Sequence, residues 1–142
     1  MTVKAILDGK GSDVATIAPV SDLASAVKLL AQRRIGALVV VGPEQDVAGI
    51  ISERDVIRVL AERGAAALAY PVEQAMTRKV VTCTRAETNI DIMERMTAGK
   101  FRHVPVVEDG RLIGIVSIGD VVKYRVQQME FESAALRSYI SS

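Results

Sequence analysis

Apolar and polar positions in this chain follow one pattern twice. Set Thr16 against Thr82 and the two halves run in step at an offset of 66 residues. Val14-Ala15-Thr16-Ile17 and Val80-Val81-Thr82-Cys83 both read as strands. Leu23, Ala26, Val27 and Leu30, like Ile90, Met93 and Met96, recur at helical spacing. The runs Ala37-Leu38-Val39-Val40-Val41 and His103-Val104-Pro105-Val106-Val107 read as buried strands. Gly42-Pro43-Glu44-Gln45-Asp46 and Glu108-Asp109-Gly110 are turns suited to antiparallel partners. The second turn is shorter, so the offset falls to 65 at Gly49 and Gly114. From there Gly49-Ile50-Ile51-Ser52-Glu53-Arg54-Asp55 matches Gly114-Ile115-Val116-Ser117-Ile118-Gly119-Asp120, a strand passing into a helix expected to start at Asp55 or Asp120.

Each half is therefore predicted as β-α-β-β-α in the α/β (α+β) class, with a short helical lead-in at 3–7 and 72–76. The first repeat is placed at 1–66, the second at 67–125, and a helical tail at 126–142. The stretch 63–71 connects the repeats, with Pro71 as punctuation. About 60 residues is too little to bury a good core alone, so the repeats are expected to pack through their sheets about a pseudo-twofold axis. Crevices follow at their junction. In the tail Val126, Met129, Leu136, Tyr139 and Ile140 fall at helical intervals and mark an expected contact, with a second subunit or with the partner unit.

Composition narrows the function classes. Hydrophobic residues make up 49% of the 142 and charged residues 25%, which suits an aliphatic globular domain rather than disorder. A net charge of +1 gives no broad electrostatic case for nucleic acid or membrane. The longest apolar runs are strand-length, which excludes a transmembrane helix. The N-terminal Met1-Thr2-Val3-Lys4 carries no secretory apolar region. One cysteine forms no internal disulfide, which favours a reducing cytoplasm, and one Cys with one His leaves a structural zinc site short of ligands.

The paired units, the His-Val-Pro-Val-Val strand and the Gly-Ile-Val-Ser-x-x-Asp motif resemble a tandem cystathionine β-synthase (CBS) domain pair of the free-standing type. Ala75-Met76-Thr77 matches the family's lead-in; Ile6-Leu7-Asp8 matches it less closely. The resemblance covers residues 1–125 and implies clefts that bind adenosine-containing ligands, such as AMP, ATP, NAD(H) or S-adenosylmethionine.

Ser-x-x-Asp has two chemical readings. A Ser N-cap with an acidic residue at N3 is a capping box, which starts a helix and binds nothing. In a cleft, the carboxylate of Asp55 or Asp120 accepts ribose hydroxyls, while Ser52, Ser117 and the adjacent helix N-terminus suit phosphate. Duplication at matching places favours ribose binding by at least one Asp. The resemblance further implies that backbone at Thr16-Ile17 and Thr82-Cys83-Thr84 reads an adenine edge. It implies that Arg102-His103, just before Val104-Pro105, reaches ligand phosphates, where the first repeat has only Gly36-Ala37. Within the motif, Glu53-Arg54 contrasts with Ile118-Gly119; Arg54 adds a phosphate contact. Composite clefts of the family type join Asp55 to Thr82, Cys83, Arg102 and His103, and Asp120 to Thr16, Ile17 and Ala37, the first more basic. Arg33-Arg34 and Arg78-Lys79 read as solvated element ends, and Cys83 as a small buried hydrophobe.

The function expected is a non-catalytic adenine-nucleotide sensor, a homodimer whose change of shape is read by a downstream protein. The alternative is a dimerisation scaffold with vestigial clefts. No Walker A, dinucleotide fingerprint or nucleophile–base set is visible to support an enzyme.

Overall fold

The computed structural model describes residues 1–141. The first half comprises α1 (Val3–Lys10), β1 (Thr16–Ile17), α2 (Leu23–Arg33), β2 (Ala37–Val41), β3 (Val47–Ser52) and α3 (Glu53–Arg63). Two 3-10 turns, Ala65–Ala69 and Val72–Gln74, lead into α4 (Asn89–Gly99), β4 (His103–Glu108), β5 (Arg111–Ser117) and α5 (Ile118–Ser141). In the first sheet β1 runs parallel to β2, and β2 antiparallel to β3; in the second, β4 and β5 are antiparallel. The hairpins share an irregularity at the same place, Val40/Val41 and Val106/Val107. It is the repeat itself, visible as backbone.

Two expectations change. Val80-Val81-Thr82-Cys83 does not form a strand: it makes one parallel bridge, Cys83 to Val106. There the Cys83 N–H donates to Pro105 O at 3.0 Å, and Cys83 O accepts from the Val107 N–H at 2.9 Å. Helices α3 and α5 begin at Glu53 and Ile118, not at Asp55 and Asp120, because the hydroxyls of Ser52 and Ser117 accept the N–H groups of those aspartates at 3.2 and 3.1 Å. The chain past residue 125 continues α5 without a break.

The lead-ins are exchanged. Val3, Ile6 and Leu7 are buried in the core of the second half, among Ile92, Met96, Val104 and Val116. Ala67, Val72, Ala75 and Met76 belong to the core of the first, with Leu23, Leu38 and Ile51. Burying each large apolar side chain contributes about 1.5–3 kcal/mol, so each half draws stability from the other's lead-in. Backbone bonds repeat the exchange: Val3 N–H donates to Glu87 O (2.8 Å), and Val72 N–H to Ser21 O (2.7 Å). A boundary at residue 66 divides the sequence repeats but not the two cores.

Gly49 and Gly114 admit these lead-ins. A Cβ on Gly49 would meet Met76 Sδ at 2.5 Å and Thr77 O at 2.8 Å; one on Gly114 would meet Leu7 Cδ2 at 2.8 Å.

Candidate functional site

Two clefts open where the halves meet. The larger, about 850 Å³, receives the N-terminal turns of both α3 and α5. Its walls carry the cations Arg34, Arg54, Lys79, Lys100 and Arg102 against only Glu53 and Asp55. Such an excess of positive charge in a concave site favours an anionic ligand. The first turns add partial positive charge. In α3 the N–H groups of Glu53 and Asp55 are engaged by Gly36 O and Ser52 Oγ; in α5 those of Ile118 and Asp120 are engaged by Arg102 O and Ser117 Oγ. That leaves Arg54 and Gly119, the middle residues, facing the cleft.

The smaller cleft, about 510 Å³, holds Asp120 with Lys10, Asp13, Val14, Ala15, Arg33, Arg34 and Ala37. Its charges nearly balance. Arg34, Ile35, Gly36, His103 and Ser117 line both clefts, so the two share a wall.

The matched carboxylates are held differently. Asp55 closes a full capping box: its Oδ2 accepts from the Ser52 N–H and hydroxyl, both at 2.9 Å. Its Oδ1 accepts from Arg58 at 3.0 Å and from the Thr77 hydroxyl at 3.1 Å. Four donors fill the acceptor capacity of a carboxylate, so a ribose here must displace Thr77 or Arg58. Asp120 Oδ2 accepts from the Ser117 N–H at 2.9 Å and from Lys10 Nζ at 2.6 Å, while Lys10 also bonds Ile115 O at 2.9 Å. Burial raises the Asp120 carboxyl, but the Lys10 and Ser117 bonds outweigh it, and the group titrates below the usual carboxylate value. The helix-capping carboxylates are thus also the ones that line the clefts, Asp55 the larger and Asp120 the smaller.

His103 stands at the shared wall. Burial pushes its imidazole below the usual value; Glu53 and Asp120 partly oppose this, and Lys10 and Arg102 add to it. A neutral ring is favoured unless an anion enters.

Of the residues expected from sequence, Ser52, Arg54, Asp55, Arg102, His103, Ser117 and Gly119 line the larger cleft, and Ala37, His103, Ser117 and Asp120 the smaller. Thr16, Ile17, Thr82, Cys83, Thr84, Val104 and Pro105 line neither. The wall lies two residues earlier in both halves, at Val14-Ala15 and Val80-Val81, because Thr16, Ile17 and Cys83 are spent pairing with the next strand. Val104 and Pro105 are buried beneath the site. Cys83 is buried with its thiol pushed up to about 12 by desolvation, which makes it unreactive. Arg34 and Lys79 are exposed, as expected of element ends, and also line the larger cleft. A signal existed for this: Arg34 and Lys100 occupy matching places, each in the left-handed conformation that ends α2 or α4. Thr77 and Lys10, the lead-in partners of the two aspartates, gave no such signal. Among the described residues no cluster of His, Cys, Asp and Glu fits a metal ion, and no helix is long and apolar enough to cross a membrane.

The CBS domain model matches residues 4–62 and 72–127. A mitochondrial CBS domain-containing protein of Arabidopsis thaliana, CBSX3, is 41% identical over 119 residues, which cover 81% of this chain and 58% of that protein. The chain thus spans little more than half of that plant relative. The crystal structure of the CBS-domain protein ATU1752 from Agrobacterium tumefaciens is 49% identical with a TM-score of 0.85, covering 88% of this chain and 99% of that one. The CBS domain pair of protein MJ0100, solved with 5′-methylthioadenosine and S-adenosyl-L-methionine, is 27% identical with a TM-score of 0.80, covering 90% and 98%. The chain belongs to the CBS domain family.

Proposed function

We propose that this CBS pair is a non-catalytic regulatory module that binds a phosphorylated adenosine ligand, of the AMP, ATP or NAD(H) class, in the larger cleft. The carrying observation is the excess of cations on that cleft's walls, together with two helix N-termini directed into it. The adenosine part rests on the family and on MJ0100, whose structure holds two adenosine compounds. The phosphate part rests on charge: a sulfonium cation gains nothing from five basic side chains, whereas phosphate gains charge-assisted bonds. Ribose hydroxyls take the place of Thr77 or Arg58 on Asp55, and Val80-Val81 lie against the base. Displacing Thr77 pulls on the second half's lead-in, which is packed in the first half's core. Binding therefore shifts the fit between the halves by as much as the ligand's differential affinity allows. The module acts in the cytoplasm as a homodimer whose altered shape is read by a partner protein.

A thermal-shift panel of AMP, ADP, ATP, NAD, NADH and S-adenosylmethionine tests this. A true ligand at a hundredfold its Kd adds about 2.7 kcal/mol of stability. One observation favours the scaffold alternative: the Asp55 carboxylate is already filled within the fold, and Asp120 is already paired with Lys10. No shift with any compound of the panel at saturating concentration decides for the scaffold, and a shift with S-adenosylmethionine alone overturns the phosphate part of the reading.

A further inference from the structure

The distal half of α5 stands clear of the body that carries it. Every residue from Glu130 to Ser141 is exposed. An isolated helix of this length is marginal in water, so an uninterrupted one calls for a partner. Its exposed face is patterned. Val122, Val126, Met129, Ser133, Leu136 and Ile140 follow one another at alternating steps of four and three, the 3.5-residue period of a coiled-coil seam. The five apolar members are between 46% and 72% exposed. Val121 and Tyr124, by contrast, are buried against the body. At about 100° per residue the seam points roughly 130° away from them, outward.

We infer that this seam is one half of a parallel two-stranded coiled coil with a second copy of the chain. The dimer belongs to the functional reading above; the helix pairing and its direction stand apart from nucleotide binding. Residue types fix the strand number. β-branched Val126 and Ile140 fall at a positions and Leu136 at d, the combination that favours two parallel strands, with Val122 and Met129 completing the d row. Ser133 is a polar a residue near the middle, a device that sets register at some cost in stability. Charge fixes direction. In a parallel pair each g residue meets the e residue five places on in its partner, and here Arg125 meets Glu130 while Glu132 meets Arg137. An antiparallel pair centred on the seam faces e against e, setting Glu130 beside Glu130 and Lys123 beside Arg137. None of Arg125, Glu130, Glu132 and Arg137 has an ion pair among the described residues.

Sedimentation of the full chain tests the partner, and cross-linking tests the direction. The unmodified chain is expected to sediment as a dimer, and Leu136→Asp to shift it to monomer. Glu130→Lys is expected to raise the dimer dissociation constant about tenfold, and Arg125→Glu added to it to restore dimerisation. Val126→Cys is expected to form an intersubunit disulfide on mild oxidation, since Cys83 is buried and does not compete. In an antiparallel pair the two 126 positions lie about 15 Å apart along the axis and cannot be bridged. A monomeric chain overturns the inference, including one that instead sediments with phosphatidylcholine–phosphatidylserine vesicles. So does a dimer whose Val126→Cys form stays unlinked.

Discussion

Gly36 and His103 face each other across the junction of the two halves: a Cβ on Gly36 would lie 3.2 Å from His103 Cε1 and 3.5 Å from Nε2. Gly36 occupies the place that Arg102 holds in the second repeat, so the missing side chain of one copy makes room for the ring of the other. A methyl group there is a tight fit that the ring relieves by a small shift. Two further methyls leave it no room. Gly36→Val is expected to cost about 1–3 kcal/mol in urea unfolding and to displace the His103 ring resonances. Unchanged stability and unchanged resonances would show the contact to be loose.

His103 is the chain's one histidine, so its titration is read from a single ring signal. Burial holds its folded-state pKa below the ordinary 6.5. The unfolded chain therefore binds more protons in the interval between the folded value and 6.5. This contribution to stability is fully present above pH 6.5 and is lost as pH falls through the interval. Stability measured against pH should rise across that window, and His103→Asn should flatten the rise. A bound phosphate favours the imidazolium, so a phosphorylated ligand should raise the midpoint and adenosine should not. A midpoint at or above 6.5 in the free protein is the contrary result.

Arg102 and Asp55 are expected to fail in different ways. Arg102 is exposed, lines the larger cleft and has no ion pair among the described residues. Arg102→Ala should leave unfolding within about 0.5 kcal/mol of the parent. It should weaken AMP about tenfold or more by removing a charge-assisted bond, with adenosine little affected. Asp55→Ala removes a capping-box partner as well as the proposed ribose acceptor, so it should cost about 1–2 kcal/mol of stability besides weakening both ligands. Calorimetric titration of AMP and adenosine against both variants checks the split. Equal loss of the two ligands in Arg102→Ala would remove phosphate from its role.

Much of this was legible in the sequence because the sequence repeats. The hairpins, the helices and the two aspartates came from aligning Gly49 with Gly114. What the alignment concealed was the exchange of lead-ins: residues 3–7 and 72–76 look like the start of the unit each precedes, yet each packs in the other half. Periodicity reports that a face is buried and not which core buries it. For the same reason Thr77 and Lys10 were missed, since both reach an aspartate by way of a lead-in. The two-residue offset between Thr16 or Thr82 and the cleft wall is of another kind. The apolar pattern marks where a strand lies, but backbone pairing decides which of its residues remain open to a cleft. A capping box and a ribose acceptor read as alternatives for Ser-x-x-Asp, whereas at Asp55 the box is complete on a carboxylate that also lines the larger cleft.

The exchanged lead-ins also predict unequal effects at the two matched glycines. At Gly49 an added methyl meets Thr77 O at 2.8 Å as well as Met76 Sδ. The carbonyl cannot yield, because Thr77 O accepts the Ile50 N–H at 3.0 Å and Thr77 N–H donates to Ile50 O at 2.9 Å. At Gly114 the three nearest atoms to the methyl all belong to the Leu7 side chain, whose ends can rotate aside. Gly49→Ala should therefore cost more than Gly114→Ala, about 3 kcal/mol against about 1. Shortening the obstructing side chain separates the two cases: Leu7→Ala should offset part of the cost of Gly114→Ala, while Met76→Ala should recover little of the loss in Gly49→Ala. Double-mutant cycles in urea measure both couplings. Full recovery of Gly49→Ala by Met76→Ala would place the clash on the side chain and leave the backbone bridge out of the account.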